Sequence, residues 1–197
     1  LGASAGLNLS LDRFAIETPF ARTGPGKTPV TLRPEWRGAP PPLPFSVADR
    51  AGVDCHPLDP ADPGDALRLL SFLWPDQPER MDLTRGAIAL AMTRPAAGDA
   101  APWLAKRLRS RNPGRLHLVY TTIAWQYFSP ETQAACARTL ELAGSEATAD
   151  TPLAHVAFEA DGRRDGAALH VRLWPHAPKP AELARADFHG RWVDWQT

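Results

Sequence analysis

The sequence predicts an α/β fold: a mostly parallel sheet closed by a C-terminal antiparallel hairpin. Three observations carry that reading. A small-residue run, Leu1-Gly2-Ala3-Ser4-Ala5-Gly6-Leu7-Asn8, opens the chain as a tight strand-to-helix turn, because a backbone that bends this sharply needs residues without bulk. Helix-period segments then alternate with short apolar runs. Finally, residues 153–159 and 167–174 are apolar strands joined by six turn-type and charged residues, which makes them a hairpin and not a strand-helix-strand unit.

The elements follow in order. Leu7, Leu11 and Phe14 have the spacing of a short amphipathic helix. Residues 14–18 and 29–33 read as short strands, with Thr23-Gly24-Pro25-Gly26-Lys27 making a hairpin between them. Residues 34–46, with Ala39-Pro40-Pro41-Pro42, read as a proline-stiffened connection without regular structure. A strand is expected from Phe45 to Val53. Asp62-Pro63-Gly64-Asp65 starts a helix with an N-cap acid and proline at its first position; Trp74-Pro75 ends it. Further helices are expected near 80–93, from Asp99 or Ala100 to Ser110, and from Ser129-Pro130-Glu131 to about Ala143 with Gly144 as the stop. Residues 115–122, a continuous apolar and β-branched run after Asn112-Pro113-Gly114, read as a buried strand. The tail 188–195 reads as a last short strand with two indoles on one face.

Composition sets limits. A chain of 197 residues buries a core of its own and reads as a single α/β domain over 1–197. Because the opening turn needs a strand before it, residues including that first strand are expected upstream of Leu1. Lys+Arg and Asp+Glu balance at 22 each, so no basic field points to nucleic acid or to an anionic membrane. No run is long and apolar enough to span a bilayer. The two cysteines, Cys55 and Cys136, lie far apart, which argues for a reducing, cytoplasmic location and against a disulfide framework. His155 and His170 are expected as diagonal neighbours across the hairpin, but with no third ligand a metal site is not expected.

The chemistry centres on the opening turn. Its glycines, Gly2 and Gly6, would let backbone N–H groups of Ser4, Asn8 and their neighbours face a nucleotide-type ligand. The same residues spell G-x-S-x-G, the nucleophile elbow of a hydrolase with Ser4 as nucleophile. A third reading is a small-residue turn used only for packing. Asp54, at the end of the following strand, is the acid that would take ribose hydroxyls in a Rossmann-like site, or else an Asp in a turn before Pro57. Thr121, Thr122, Trp125 and Tyr127 follow the carboxyl end of the 115–122 strand, where α/β sheets bind ligands. Trp74, Asp76 and Arg80 at a helix break, with His189 in the tail, could line a substrate cleft; each is also explicable by packing, which for Trp74 beside Pro75 is the commoner explanation.

Five stretches together resemble a family: Gly2-Ala3-Ser4-Ala5-Gly6-Leu7-Asn8, Gly52-Val53-Asp54-Cys55-His56-Pro57, Leu73-Trp74-Pro75-Asp76-Gln77-Pro78-Glu79-Arg80, Trp125-Gln126-Tyr127 and His189-Gly190-Arg191-Trp192-Val193-Asp194-Trp195. In this order they look like the DUF2332 family, bacterial proteins of uncharacterised function, whose members carry Glu-Val immediately before the glycine run. More distantly, the chain is similar to class I S-adenosylmethionine-dependent methyltransferases. That resemblance implies S-adenosylmethionine as cofactor, with Gly2, Ser4 and Gly6 along its methionine moiety and Asp54 on the ribose. Thr121, Thr122 and Trp125 would then lie between cofactor and a small-molecule acceptor. Ser4 departs from the third glycine common there, and no Asn-Pro-Pro-Tyr-like motif is present.

Two other readings stay open. One is an α/β-hydrolase-type esterase with Ser4 as nucleophile, Glu159 or Asp161 as acid and His189 as base. The other is a non-catalytic Rossmann-like binding module. The sequence names no catalytic residue outright, and it leaves acceptor and oligomeric state unassigned.

Overall fold

The residues that read as helix starts do start helices, because each supplies an oxygen for otherwise unpaired N–H groups. Asp62 Oδ1 accepts from the N–H of Gly64 and Asp65, both at 2.9 Å, at the head of α1 (Pro63–Ser71). α2 (Pro78–Leu90) begins on a proline. Asp99 Oδ1 accepts from Ala101 N–H at 2.8 Å before α3 (Ala100–Arg107), and Ser129 Oγ accepts from Thr132 N–H at 3.2 Å before α4 (Pro130–Ser145).

The computed structural model describes residues 1–39, 45–163 and 165–196, which divide into two units. One comprises Ala3–Glu35 and Ala39–Gly98; the other comprises Leu1–Gly2, Trp36–Gly38 and Asp99–Thr197. The expected proline-rich connection lies partly outside the described residues, at 40–44, as does Arg164 in the hairpin loop.

In the first unit the opening turn runs into a 3-10 helix, Leu7–Arg13, broken at Ser10, and not into an α-helix. β1 (Ala15–Glu17) pairs antiparallel with β2 (Arg22–Thr23) and parallel with β3 (Thr31–Leu32). The two strands expected to form a hairpin are therefore parallel neighbours, because β2 supplies the antiparallel return. The strand expected over residues 45–53 shrinks to β5 (Val53–Asp54), parallel to β6 (Ala96–Ala97). Residues preceding it carry too few apolar side chains in alternation to hold a longer ladder. Ala5, Leu58 and Leu69 form a small core against which Leu7 and Ile88 pack.

The second unit is built on a six-stranded sheet: β4 (Glu35–Arg37), β11 (Trp192–Trp195), β10 (Ala177–Ala186), β9 (Ala167–Trp174), β8 (Leu153–Glu159) and β7 (His117–Thr122), in that order. β7 and β8 are parallel, whereas β8–β9, β9–β10 and β10–β11 are antiparallel. The sheet is thus mixed and mainly antiparallel, not mostly parallel. Short connections after β8 leave no room for the crossover helices that parallel strands need. Strands β8 and β9 have the expected bounds. β4 forms inside the stretch expected to be irregular.

Three further expectations change. β7 lies at the sheet edge: Val119 and Thr121 are buried, but Leu118 is 45 % exposed, since only one neighbour and one face cover the strand. Gly144 does not stop α4 but lies within it, where a Cβ would come within 2.6 Å of three Trp174 ring atoms. Its missing side chain lets the helix approach the sheet. Trp192 and Trp195 are three residues apart, so strand alternation sends them to opposite faces; Trp195 stacks on Trp36 at 6.1 Å.

Candidate functional site

Each unit gathers chemistry-bearing residues. In the first, the turn bends through left-handed backbone at Ser4 (φ 51°) and Gly6 (φ 71°). A side chain at Gly6 would meet the Thr93 carbonyl oxygen at 2.8 Å, so glycine is required there for close approach as well as for φ. Ser4 accepts the strain of a non-glycine residue in this region and leaves its side chain exposed.

What holds Ser4 there is Asp54. The Ser4 N–H donates to Asp54 Oδ2 at 2.8 Å, and the His56 N–H donates to Asp54 Oδ1 at 2.9 Å. Ala3 N–H donates to the Val53 carbonyl at 3.0 Å. A strand-end acid and a glycine turn fifty residues apart in sequence meet in one place. Each carboxylate oxygen takes one N–H and keeps a lone pair for another donor. His56 and Cys55 stand exposed beside it, and the His56 N–H completes an Asx turn on Asp54. A cavity of about 390 Å³, lined in part by Asp59, Ile88, Met92, Thr93 and Arg94, opens next to the Gly6–Thr93 contact.

Asn8 is exposed in the 3-10 helix. Trp74 is 71 % exposed and Asp76 is exposed, whereas Arg80 Nη1 donates to Gln77 Oε1 at 2.5 Å. These three do not converge on a shared contact among those described.

In the second unit, Gly2 lies at φ 63°, and a Cβ there would meet the Ala124 methyl at 2.7 Å. Thr121 is buried and Thr122 is exposed, since adjacent strand residues point to opposite faces, so their hydroxyls do not act together. β7 is followed by Ile123, a β-branched residue at φ 51°. Such a conformation is costly for this residue type and is concentrated at functional loops. Its N–H donates to the Phe158 carbonyl at 2.8 Å. The next two N–H groups, of Ala124 and Trp125, both donate to Glu159 Oε1 at 3.2 Å. Trp125 thereby comes to rest with its ring 6.3 Å from that of His155. Burial, seconded by the Arg172 charge, pushes the His155 imidazole down to about 4, so it is neutral at pH 7. Tyr127 is 78 % exposed.

His155 and Glu159 are the residues whose part here the sequence did not disclose. The signal was available: strand alternation puts both on the same face of β8, two residues on either side of Ala157. The expected diagonal placement of His155 and His170 holds, since the register pairs Ala157 with His170. The acids named for a hydrolase triad are engaged elsewhere. Asp161 is bound by Arg185 at 2.7 Å, which holds its carboxyl down at about 2, and Glu159 accepts the loop N–H groups. His189 is exposed, its N–H donating to Asp187 Oδ2 at 2.9 Å. Among the described residues no group of three or more His, Cys, Asp or Glu side chains could hold a metal ion, and no helix is long and apolar enough to cross a membrane.

A family model described as an uncharacterized protein conserved in bacteria, DUF2332, matches residues 1–195. No curated protein and no solved structure matches the chain.

Proposed function

The chain belongs to the DUF2332 family, and from that premise we propose that it binds a nucleoside-type cofactor, S-adenosylmethionine, at the turn formed by residues 3–8, as a Rossmann-like methyltransferase does. The observation that carries this reading is the 2.8 Å hydrogen bond from Ser4 N–H to Asp54 Oδ2, which joins the glycine turn to the acid ending β5. Asp54 retains acceptor capacity for two ribose hydroxyls, and the left-handed turn leaves the Ser4 side chain exposed. A cavity of small-ligand size, lined in part by Asp59, Thr93 and Arg94 and not by Ser4, Gly6 or Asp54, lies in the same unit. When bound, the cofactor supplies the electrophilic methyl group; Asp54 holds and orients, and the desolvated approach of an acceptor does the rest.

Calorimetric titration of S-adenosylmethionine and S-adenosylhomocysteine into the full-length protein tests the reading. Saturable binding that weakens at least tenfold, about 1.4 kcal/mol, in Asp54→Ala supports it. Because Asp54 also holds the turn, Asp54→Asn and a thermal melt of both variants separate lost contact from lost fold. Absence of binding at millimolar ligand overturns it. The exposed Ser4 at φ 51° keeps one rival specific: ester hydrolysis abolished by Ser4→Ala, with cofactor binding intact or absent, would make the turn a nucleophile elbow.

A further inference from the structure

Ala157 is a small side chain on β8 with polar neighbours on every side. Strand alternation puts His155, Ala157 and Glu159 on one face. The register places Thr121 of β7 against Ala157 on one flank and His170 of β9 on the other. Three of these residues carry a buried polar atom without a hydrogen-bond partner: Thr121 Oγ1, His155 Nε2 and Glu159 Oε2. Thr121 is wholly buried. Buried polar atoms are almost always paired, and each unpaired one weakens a fold. Three of them fall at neighbouring register positions on one face.

The surroundings are built to hold these atoms in place. Glu159 cannot swing away, because its Oε1 accepts two N–H groups of the loop after β7. That loop leaves the strand through the strained Ile123 and is tied at its far end by Gln133 Nε2, which donates to the carbonyls of Trp125 at 2.8 Å and Phe128 at 3.3 Å. The Trp125 ring stands against His155 and tilts on Phe128 at 5.7 Å.

We propose that this face of β7 and β8 binds a protonated primary amine. An ammonium group brings three donors and no acceptor. Thr121 Oγ1, the Nε2 of a neutral imidazole and Glu159 Oε2 can each accept one of them. The carboxylate balances the charge, and Trp125 offers an aromatic face to a cation. Arg172, opposite His155 in the register, is already paired with Glu141 at 2.6 Å and lies over the Trp174 ring at 4.3 Å. His170 lies 3.8 Å from Glu182. This site stands on contacts within its own unit and does not depend on the nucleoside reading.

The test is a titration of the full chain with n-butylammonium, followed by amide, indole and imidazole NMR signals, with n-butanol as the uncharged control. Saturating shifts at Thr121, Trp125, His155 and Glu159, absent with butanol, support the proposal. Thr121→Val and Glu159→Gln should then bind at least tenfold more weakly, and Thr121→Val, which removes an unpaired buried polar atom, should melt at or above the parent temperature. Equal shifts with butanol, no saturation, or unchanged amine binding in Thr121→Val overturn it. That last result, with a raised melting temperature or not, would leave ordered water only around Ala157.

Discussion

At the scale of single residues, side chains matter here as much by their absence as by their presence. Gly144 is the clearest case. A Gly→Ala change inside a helix ordinarily stabilises by about 1 kcal/mol. At this position the added methyl would lie 2.5 Å from the ring of Trp174, which is 4 % exposed and cannot yield. Overpacking of that kind costs about 1–3 kcal/mol. Gly144→Ala is therefore expected to destabilise the protein by up to about 2 kcal/mol, read from the urea midpoint. Asp54 gives the second residue-scale expectation. It ties the N–H groups of Ser4 and His56, so Asp54→Ala should lower stability by about 1–2 kcal/mol, whereas Asp54→Asn, which keeps one acceptor oxygen, should lose less.

At the scale of elements, caps and edges decide. Asp62 satisfies two N–H groups of α1, so Asp62→Ala should cost about 1 kcal/mol by thermal melt. Strand β7 tests the edge assignment. Leu118→Thr, on its exposed face, should stay within about 0.5 kcal/mol of the parent. Val119→Ala, one residue on but buried, should cost about 2 kcal/mol. Equal losses at both positions would mean that β7 is covered on both sides. The contrast also explains how legible the elements were. Helices announced by Asp62-Pro63, Asp99 and Ser129-Pro130 were readable because a cap is a local interaction. Strand β10 is not legible in the sequence: residues 177–186 are rich in Ala and carry two prolines, which favour no strand alone. Pairing with β9 and β11 makes it one, and its two prolines, Pro178 and Pro180, fall where the ladder with β9 shifts register.

At the scale of the whole molecule, titration links sites far apart in sequence. His155 is held down to about 4, chiefly by burial, against an ordinary value of 6.5. Between those values the unfolded chain binds the proton and the native protein does not, so stability falls as pH drops through this window, by up to about 3 kcal/mol. Asp161 and Asp187 are both held at about 2, chiefly by Arg185 and Arg191 respectively, against 3.8. Their contribution is complete above 3.8 and is lost as pH falls toward 2. Urea midpoints measured from pH 7.5 to 3 should therefore decline in two stages. Replacing His155 by Phe should flatten the upper stage and leave the lower one; a decline confined below pH 4 in the parent would contradict the buried, neutral imidazole.

The sequence by itself determined what depends on near neighbours along the chain: the glycine turn, the helix caps, the β8–β9 hairpin and the acid that ends β5. These follow from backbone sterics, orphan N–H groups and side-chain alternation, all of which act within a few residues. Tertiary structure alone decided the mixed sheet, the edge position of β7, the strand character of 177–186 and the meeting of Ser4 with Asp54. It also decided the gathering of Thr121, His155 and Glu159 around Ala157. Those depend on which strands pair and in what register, and pairing is set by the burial of faces contributed by segments distant in the chain.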